Sequence, residues 1–158
     1  MVKKHISYKI AKILSSSMHP VLKEGDLVLL QRVEITQIQK GDLVGFISEK
    51  NIPLVHRVVK KTRMIFQTVA DAGRRADPPI NIKNIVGKVM MVKVNNKWKH
   101  VGNNRIMKIL GFCIAVLSDL IVQYPYGYPI LFVRKIVAKT SRFALQKSSS
   151  RFRRNPIN

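Results

Sequence analysis

The chain is short of acid. Eight Asp and Glu stand against 29 Lys and Arg in 158 residues, a formal net charge of +21 at pH 7. Such a surface seeks an anionic partner, either nucleic acid or a lipid headgroup layer. The same shortage makes any carboxylate placed beside a serine and a histidine more informative than in an acidic protein. Cysteine is nearly absent too. Cys113 is the only one, which excludes an intramolecular disulfide and any metal site built on two or four cysteines. No metal or cofactor is expected, and Cys113, inside an apolar run, is expected to be a small buried hydrophobe. No stretch of 18 charge-free apolar residues occurs, so no transmembrane helix stands out. The nearest approach, Ile109 to Val122, is interrupted by Ser118 and Asp119. Residues 1–14 carry lysines without a continuous apolar core, unlike a cleavable signal peptide.

What is present divides into four segments. Residues 1–14 form a basic lead-in, suited to a short strand or a basic amphipathic turn. Residues 15–95 read as the β module. Strand-like runs recur at Asp26–Val33, Asp42–Ile47, Leu54–Lys60, Met64–Val69 and Ile85–Val94, separated by turn residues such as Gly25, Gly41 and Pro78-Pro79. Gly25-Asp26 and Gly41-Asp42 each precede a Leu-Val pair, so two strands begin in the same way. Short, evenly spaced strands predict a mainly β fold, a small folded sheet or barrel. Asn95–Asn104 is a polar break containing Trp98, which suits a lipid interface or a packed surface site. Residues 96–133 contain an apolar segment of helical periodicity: Ile106, Ile109, Leu110, Cys113, Val116, Leu117 and Leu120. Tyr124–Pro129 breaks it. From Arg134 to Asn158 the chain is basic and Ser-rich, ending Arg151-Phe152-Arg153-Arg154, and is expected to be a flexible tail.

Three residues make a candidate charge-handling set. Ser17 closes the hydroxyl triplet Ser15-Ser16-Ser17 ahead of Met18-His19-Pro20, a turn that can hold a nucleophile exposed. His56 lies in a strand, Pro53–Val59, on the face of Leu54 and Val58. Asp77 precedes Pro78-Pro79. A serine needs a base to lose its proton as it attacks, and imidazole serves because histidine titrates near neutrality. The imidazole in turn needs a carboxylate to hold its tautomer.

Together these segments resemble the type I signal peptidase family of serine endopeptidases, over about Ser15 to Val92. Ser17-Met18-His19-Pro20 is similar to the family's Ser-Met-x-Pro nucleophile box. Glu24–Val28 and Lys40–Phe46 resemble its two Gly-Asp strands. Ile52–Val58 resembles the box carrying the general base, Phe66–Asp71 with Asp77 the acidic box, and Ile85–Val89 the closing strand. Where the usual bacterial enzymes and the self-cleaving repressors put lysine before Arg-Val, this chain has His56. That resembles the branch of the endoplasmic reticulum, archaea and some Gram-positive bacteria. The resemblance implies Ser17 as nucleophile, His56 as general base and Asp77 as its carboxylate partner. Asp71 would be a supporting residue, and Ser15 an oxyanion donor. The segment between Asp71 and Asp77 departs from the family pattern, which leaves those two roles interchangeable. Ser16 replaces the glycine usual before the nucleophile. Sixteen residues precede Ser17, too few for the family's N-terminal span, which suits a dedicated processing protease as well as a housekeeping one.

The expectation is therefore a membrane-associated serine endopeptidase that cleaves leader or signal peptides after small residues, with an anionic membrane surface as partner. The alternative is a catalytically inactive basic β module that binds nucleic acid or anionic membrane. Nucleic acid is the weaker partner, because aromatics are not interleaved with the basic residues as stacking platforms.

Overall fold

The structure is a computed structural model that describes residues 7–63, 65–101, 105–123 and 128–147. Eight strands form one antiparallel sheet: β1 (Tyr8–Lys12), β2 (Leu27–Gln31), β3 (Leu43–Ile47), β4 (Pro53–Lys61), β5 (Ile65–Val69), β6 (Ile80–Asn81), β7 (Ile85–Val94) and β8 (Lys97–His100). Their spatial order is β1-β2-β7-β3-β4-β5-β6, with β8 beside the second half of β7, and the sheet curls into a half-barrel. Two helices follow, α1 (Arg105–Gln123) and α2 (Tyr128–Lys147), packed on each other.

The two Gly-Asp turns are built alike. Gly25 and Gly41 have φ of 88° and 95°, a region that favours glycine. Each following aspartate accepts the backbone N–H three residues before it, Lys23 to Asp26 and Gln39 to Asp42, both at 2.8 Å. Each then holds a buried cation, Arg142 on Asp26 and Lys88 on Asp42. Asp71 pairs with Arg57, Asp77 with His56, and Asp119 with Lys40 and Lys60. Every aspartate in the chain is thus paired, as a sequence with so few carboxylates and so many cations would have it.

Successive residues of the central strands feed different cores. Leu43 joins Met18, Leu22, Val28, Val92 and Ile114 in the larger cluster, while Val44 and Phe46 join Val58, Phe66 and Ile80 in a second. A third brings Val59 and Val69 against Ala115 of α1. Both faces of β3 and β4 are covered, which is why these strands read as continuous apolar runs instead of alternating.

Several expectations need correction. Of the two forms expected for the lead-in, Tyr8–Lys12 takes the short strand, and it joins the β module by pairing with β2 from Tyr8↔Gln31 to Lys12↔Leu27. The polar break after β7 contains β8; Asn95 and Asn96, at φ 49° and 60°, make the two-residue hairpin turn. Trp98 is half-buried in that strand, and Cys113 is half-buried, not fully so. Residues 134–147, expected as flexible tail, are helical, because their inward positions Ala138 and Leu145 are apolar and buried while Arg142 finds Asp26. The expected breaks at 102–104 and 124–127, Lys3, Lys4 and Met64, and the Arg151–Arg154 run lie outside the described residues.

The face of α1 also differs from the periodicity reading. Met107, Gly111, Ile114, Ala115, Ser118 and Ile121 point inward, whereas Ile106 and Ile109 are 60% and 64% exposed. The small residues are inside because α1 crosses the sheet closely. A Cβ on Gly111 would lie 2.8 Å from the Gly41 carbonyl oxygen and 3.0 Å from an Arg57 guanidinium nitrogen. Gly111→Ala is therefore expected to lower stability by about 1–3 kcal/mol through overpacking, read as a shifted urea midpoint. An unchanged midpoint would mean that the helix does not seat this closely.

Candidate active site

His56 and Arg57 are adjacent on β4, so their side chains leave opposite faces of the strand. Both are buried, at 6% and 3% exposure. His56 lies opposite Val44 and packs edge-on against Phe46, with ring centroids 5.9 Å apart. Its Nδ1 is 2.7 Å from Asp77 Oδ2. With a carboxylate there, Nδ1 carries the proton and Nε2 presents its lone pair. Nε2 is buried and has no hydrogen-bond partner among the described residues.

Asp77 reaches His56 because the chain doubles back after β5. Val69 bridges Ala76, and the Asp77 N–H donates to the Thr68 carbonyl at 2.8 Å. The Thr68 hydroxyl also donates to Asp77 Oδ2, at 2.5 Å. The carboxylate is thus held from the strand next to the histidine. Thr68 was not singled out from the sequence, although it lies within the acidic box Phe66–Asp71; its burial and its place beside β4 emerge only in the fold.

Asp71 goes to the other side. Arg57 Nε donates to Asp71 Oδ1 at 2.7 Å and Nη2 to Oδ2 at 2.6 Å, with the side chains 4% and 0% exposed. Arg57 Nη1 donates to the Gly41 carbonyl at 2.7 Å. This two-pronged pair is buried away from His56. Asp77, not Asp71, touches the imidazole. Arg57 too was missed as a site-building residue, though a cation inside an apolar strand run asks for a buried partner.

Ser17 is half-buried at the turn before Met18. The Ser15 hydroxyl donates to Ser17 Oγ at 3.2 Å, while Ser15 and Ser16 are exposed. Below them, the Ser17 carbonyl accepts the Ala72 N–H at 2.9 Å, and Met18 Sδ lies 3.4 Å from the Asp71 nitrogen. The Ser17 turn and the acid loop (residues 70–77) are therefore bonded to each other. The structure joins His56 to Asp77 and Ser15 to Ser17, and makes no hydrogen bond between Ser17 and His56. Catalytic contacts of this type often close only with substrate bound.

A cleft of about 330 Å³ ends at Ser15 and Ser17. Its walls are β1 and the ends of β3 and β4, and Leu30 and Val86 also line it. A larger cleft of about 470 Å³ runs between His19–Lys23 and α2, but Ser17, His56 and Asp77 do not line it. Of the three residues Ser17 lines the first cleft, and His56 and Asp77 line neither.

Among curated proteins, the chain is 31% identical over 84 residues to Signal peptidase I W of Bacillus subtilis, covering 49% of this chain and 44% of that protein. It is 44% identical over 54 residues to the Signal peptidase complex catalytic subunit SEC11 of Colletotrichum graminicola, 33% of this chain and 31% of that one. It is 40% identical over 52 residues to the Signal peptidase complex catalytic subunit SEC11C of Homo sapiens, 32% of this chain and 27% of that one. The matches thus span less than half the length of each relative. No protein-family model and no solved structure matches the chain. These matched proteins all carry signal peptidase names, so over part of its length this chain is similar to members of the type I signal peptidase family.

Proposed function

We propose that the chain is a serine endopeptidase of the signal peptidase type, cleaving leader or signal peptides after small residues through an acyl-enzyme. The observation that carries this reading is the His56 ring, oriented at Nδ1 by Asp77 and left at Nε2 with a buried, unpartnered lone pair. Nε2 takes the proton from Ser17 Oγ as the oxygen attacks the scissile carbonyl carbon. The Ser17 N–H and the Ser15 hydroxyl hold the developing oxyanion. One such donor contributes about 2.7–4 kcal/mol to transition-state stabilisation. The imidazolium then gives its proton to the departing amine. Water, deprotonated by the same nitrogen, attacks the ester carbon and regenerates Ser17. Asp77 keeps its proton-accepting contact throughout and stabilises the cationic ring.

The substrate lies extended in the cleft and adds a strand along β1, whose second edge has no strand beside it among the described residues. Main-chain bonding of this kind makes little demand on sequence, so the shape of the cleft selects small residues.

Membrane attachment fits the same reading. By length and composition α1 can cross a bilayer. Yet its inner face is spent on the sheet: Asp119 meets Lys40 and Lys60, and Gly111 meets Gly41. The outward surface of the two helices carries Ile106, Ile109, Phe112, Phe132, Ile136 and Phe143. Five exposed cations accompany them (Arg105, Lys108, Lys135, Lys139 and Lys147) and no exposed carboxylate does. That combination suits the plane of an anionic lipid surface. Membrane fractions are expected to release the protein in high salt. Retention through both salt and carbonate washes would mean insertion instead.

The activity is tested with a fluorophosphonate probe, which phosphonylates active serines with loss of fluoride, and a peptide bearing a small-x-small site. The probe is expected to attach at Ser17, located by mass spectrometry, and to block cleavage. Cleavage that persists after complete labelling would remove Ser17 from the mechanism. No labelling together with salt-sensitive nucleic-acid binding would favour the non-enzymatic alternative.

A further inference from the structure

Helix α2 lies outside the boxes at residues 15–92, yet it carries two buried cations. Arg134 and Arg142 are 3% and 9% exposed, and eight residues separate them, about 12 Å along a helix. Arg142 bonds one arm of the candidate site directly, and Arg134 bonds the helix on which the other arm rests.

Arg142 grips the base of the loop that carries Ser17. Its guanidinium donates to both oxygens of Asp26 and, at 3.3 Å, to the Val21 carbonyl. Asp26 is where that loop closes. The Asp26 carbonyl accepts the Ile13 N–H and the Ile13 carbonyl accepts the Gly25 N–H, both at 2.9 Å. Ala138 and Leu145 of the same helix share a core cluster with Met18, Val21 and Leu22.

Arg134 reaches the acid loop through α1. It donates to Ser118 of α1 at 3.4 Å. Burial pushes its guanidinium below the usual arginine value, with Asp71 opposing the shift and Arg74 adding to it. The loop itself rests on α1, where Ala115 packs on Val59 and Val69 and Val122 and Ala76 complete the cluster. The two arms meet at the Ala72 N–H and the Ser17 carbonyl. A lone buried arginine is costly, and two on one helix, each serving a different half of the site, call for a common reason.

We propose that α2 is a strut that sets the spacing between the Ser17 turn and the Asp71–Asp77 loop, with Arg142 and Arg134 as positioning residues for the Ser17–His56 proton transfer. This rests on the serine peptidase reading of the site. Neither arginine touches the reacting atoms. Each acts through the backbone that holds them.

The test compares wild type, Arg142→Met, Arg142→Lys and Arg134→Met on the full chain. Steady-state cleavage of the small-x-small peptide is measured below the melting point of each, alongside the hydrogen-exchange rate of the Ala72 amide. Misplacement by an ångström costs up to about 100-fold, so kcat of Arg142→Met is expected to fall about 10- to 100-fold with KM within about twofold. Arg142→Lys, which keeps the charge but not the two-pronged grip, should be intermediate. Ala72 exchange should quicken in both Met variants while Val92, in the centre of the sheet, holds. A lowered Tm with unchanged kcat and unchanged Ala72 exchange would overturn the strut. If wild type itself cleaves nothing, the peptidase reading fails, and the Ala72 exchange still decides whether α2 braces the two arms. If Arg142→Met does not fold, Arg142→Lys and Arg134→Met carry the same comparison.

Discussion

Ser17→Ala and His56→Ala are each expected to lower kcat by about 10⁶, and the double variant by no more than either alone. The reason is that the two residues act as one unit. Without His56 the Ser17 hydroxyl has no acceptor for its proton, and without Ser17 the imidazole has nothing to deprotonate at the carbonyl. Asp77→Asn should cost less, on the order of 10⁴. It leaves a polar group between His56 Nδ1 and the Thr68 hydroxyl but removes the negative charge that stabilises the cationic ring. Rates of peptide cleavage by the four proteins check the pattern. Losses that add in the double variant would show that Ser17 and His56 do not share a step. Turnover surviving Ser17→Ala would dismiss the serine mechanism.

The β module was legible in the sequence because its turns carry their own chemistry. A glycine at positive φ followed by an aspartate that caps its own turn can be read from Gly25-Asp26 and Gly41-Asp42 alone. The resemblance implied Asp77 as the partner of His56 and Asp71 as a supporting residue, but left the two roles interchangeable. Six residues apart on one loop, the two aspartates are alike in sequence. What separates them is pleat. His56 and Arg57 leave opposite faces of β4, so the carboxylate near one cannot reach the other, and the Val69–Ala76 bridge assigns Asp77 to the histidine side.

The helices were read less well, for a physical reason. A periodic stripe of large apolar residues normally marks the core face. On α1 the inward face mixes Met107, Ile114 and Ile121 with the small Gly111, Ala115 and Ser118, because close approach to the Gly41 turn leaves no room there for Ile109 or Phe112. For α2, basic composition suggested a solvated tail. Arg142 is buried nonetheless because its partner, Asp26, lies 116 residues earlier in the chain. No local window contains both charges, so a window-based reading sees only a cation.

Asp71→Ala is expected to destabilise the fold more than Arg57→Met does, although both break the same pair. Removing one partner of a buried ion pair costs about 3–5 kcal/mol, because the other is left charged and dry. The two losses are not symmetric here. Arg57→Met leaves the Asp71 carboxylate with Arg134 still acting on it. Asp71→Ala strands Arg57 with the Gly41 carbonyl as its remaining acceptor and takes from Arg134 the charge that offset its burial. Asp71→Ala should therefore lie near the upper end of that range and Arg57→Met near the lower. Urea unfolding at neutral pH measures both. The damage from Asp71→Ala should also reach the site before global unfolding, since the neighbouring Ala72 N–H holds the Ser17 carbonyl, and probe labelling at Ser17 should slow in denaturant too dilute to unfold the sheet. If Arg57→Met proves the worse variant, or both cost less than about 1 kcal/mol, then the buried pair of Arg57 and Asp71 is not what fixes the acid loop.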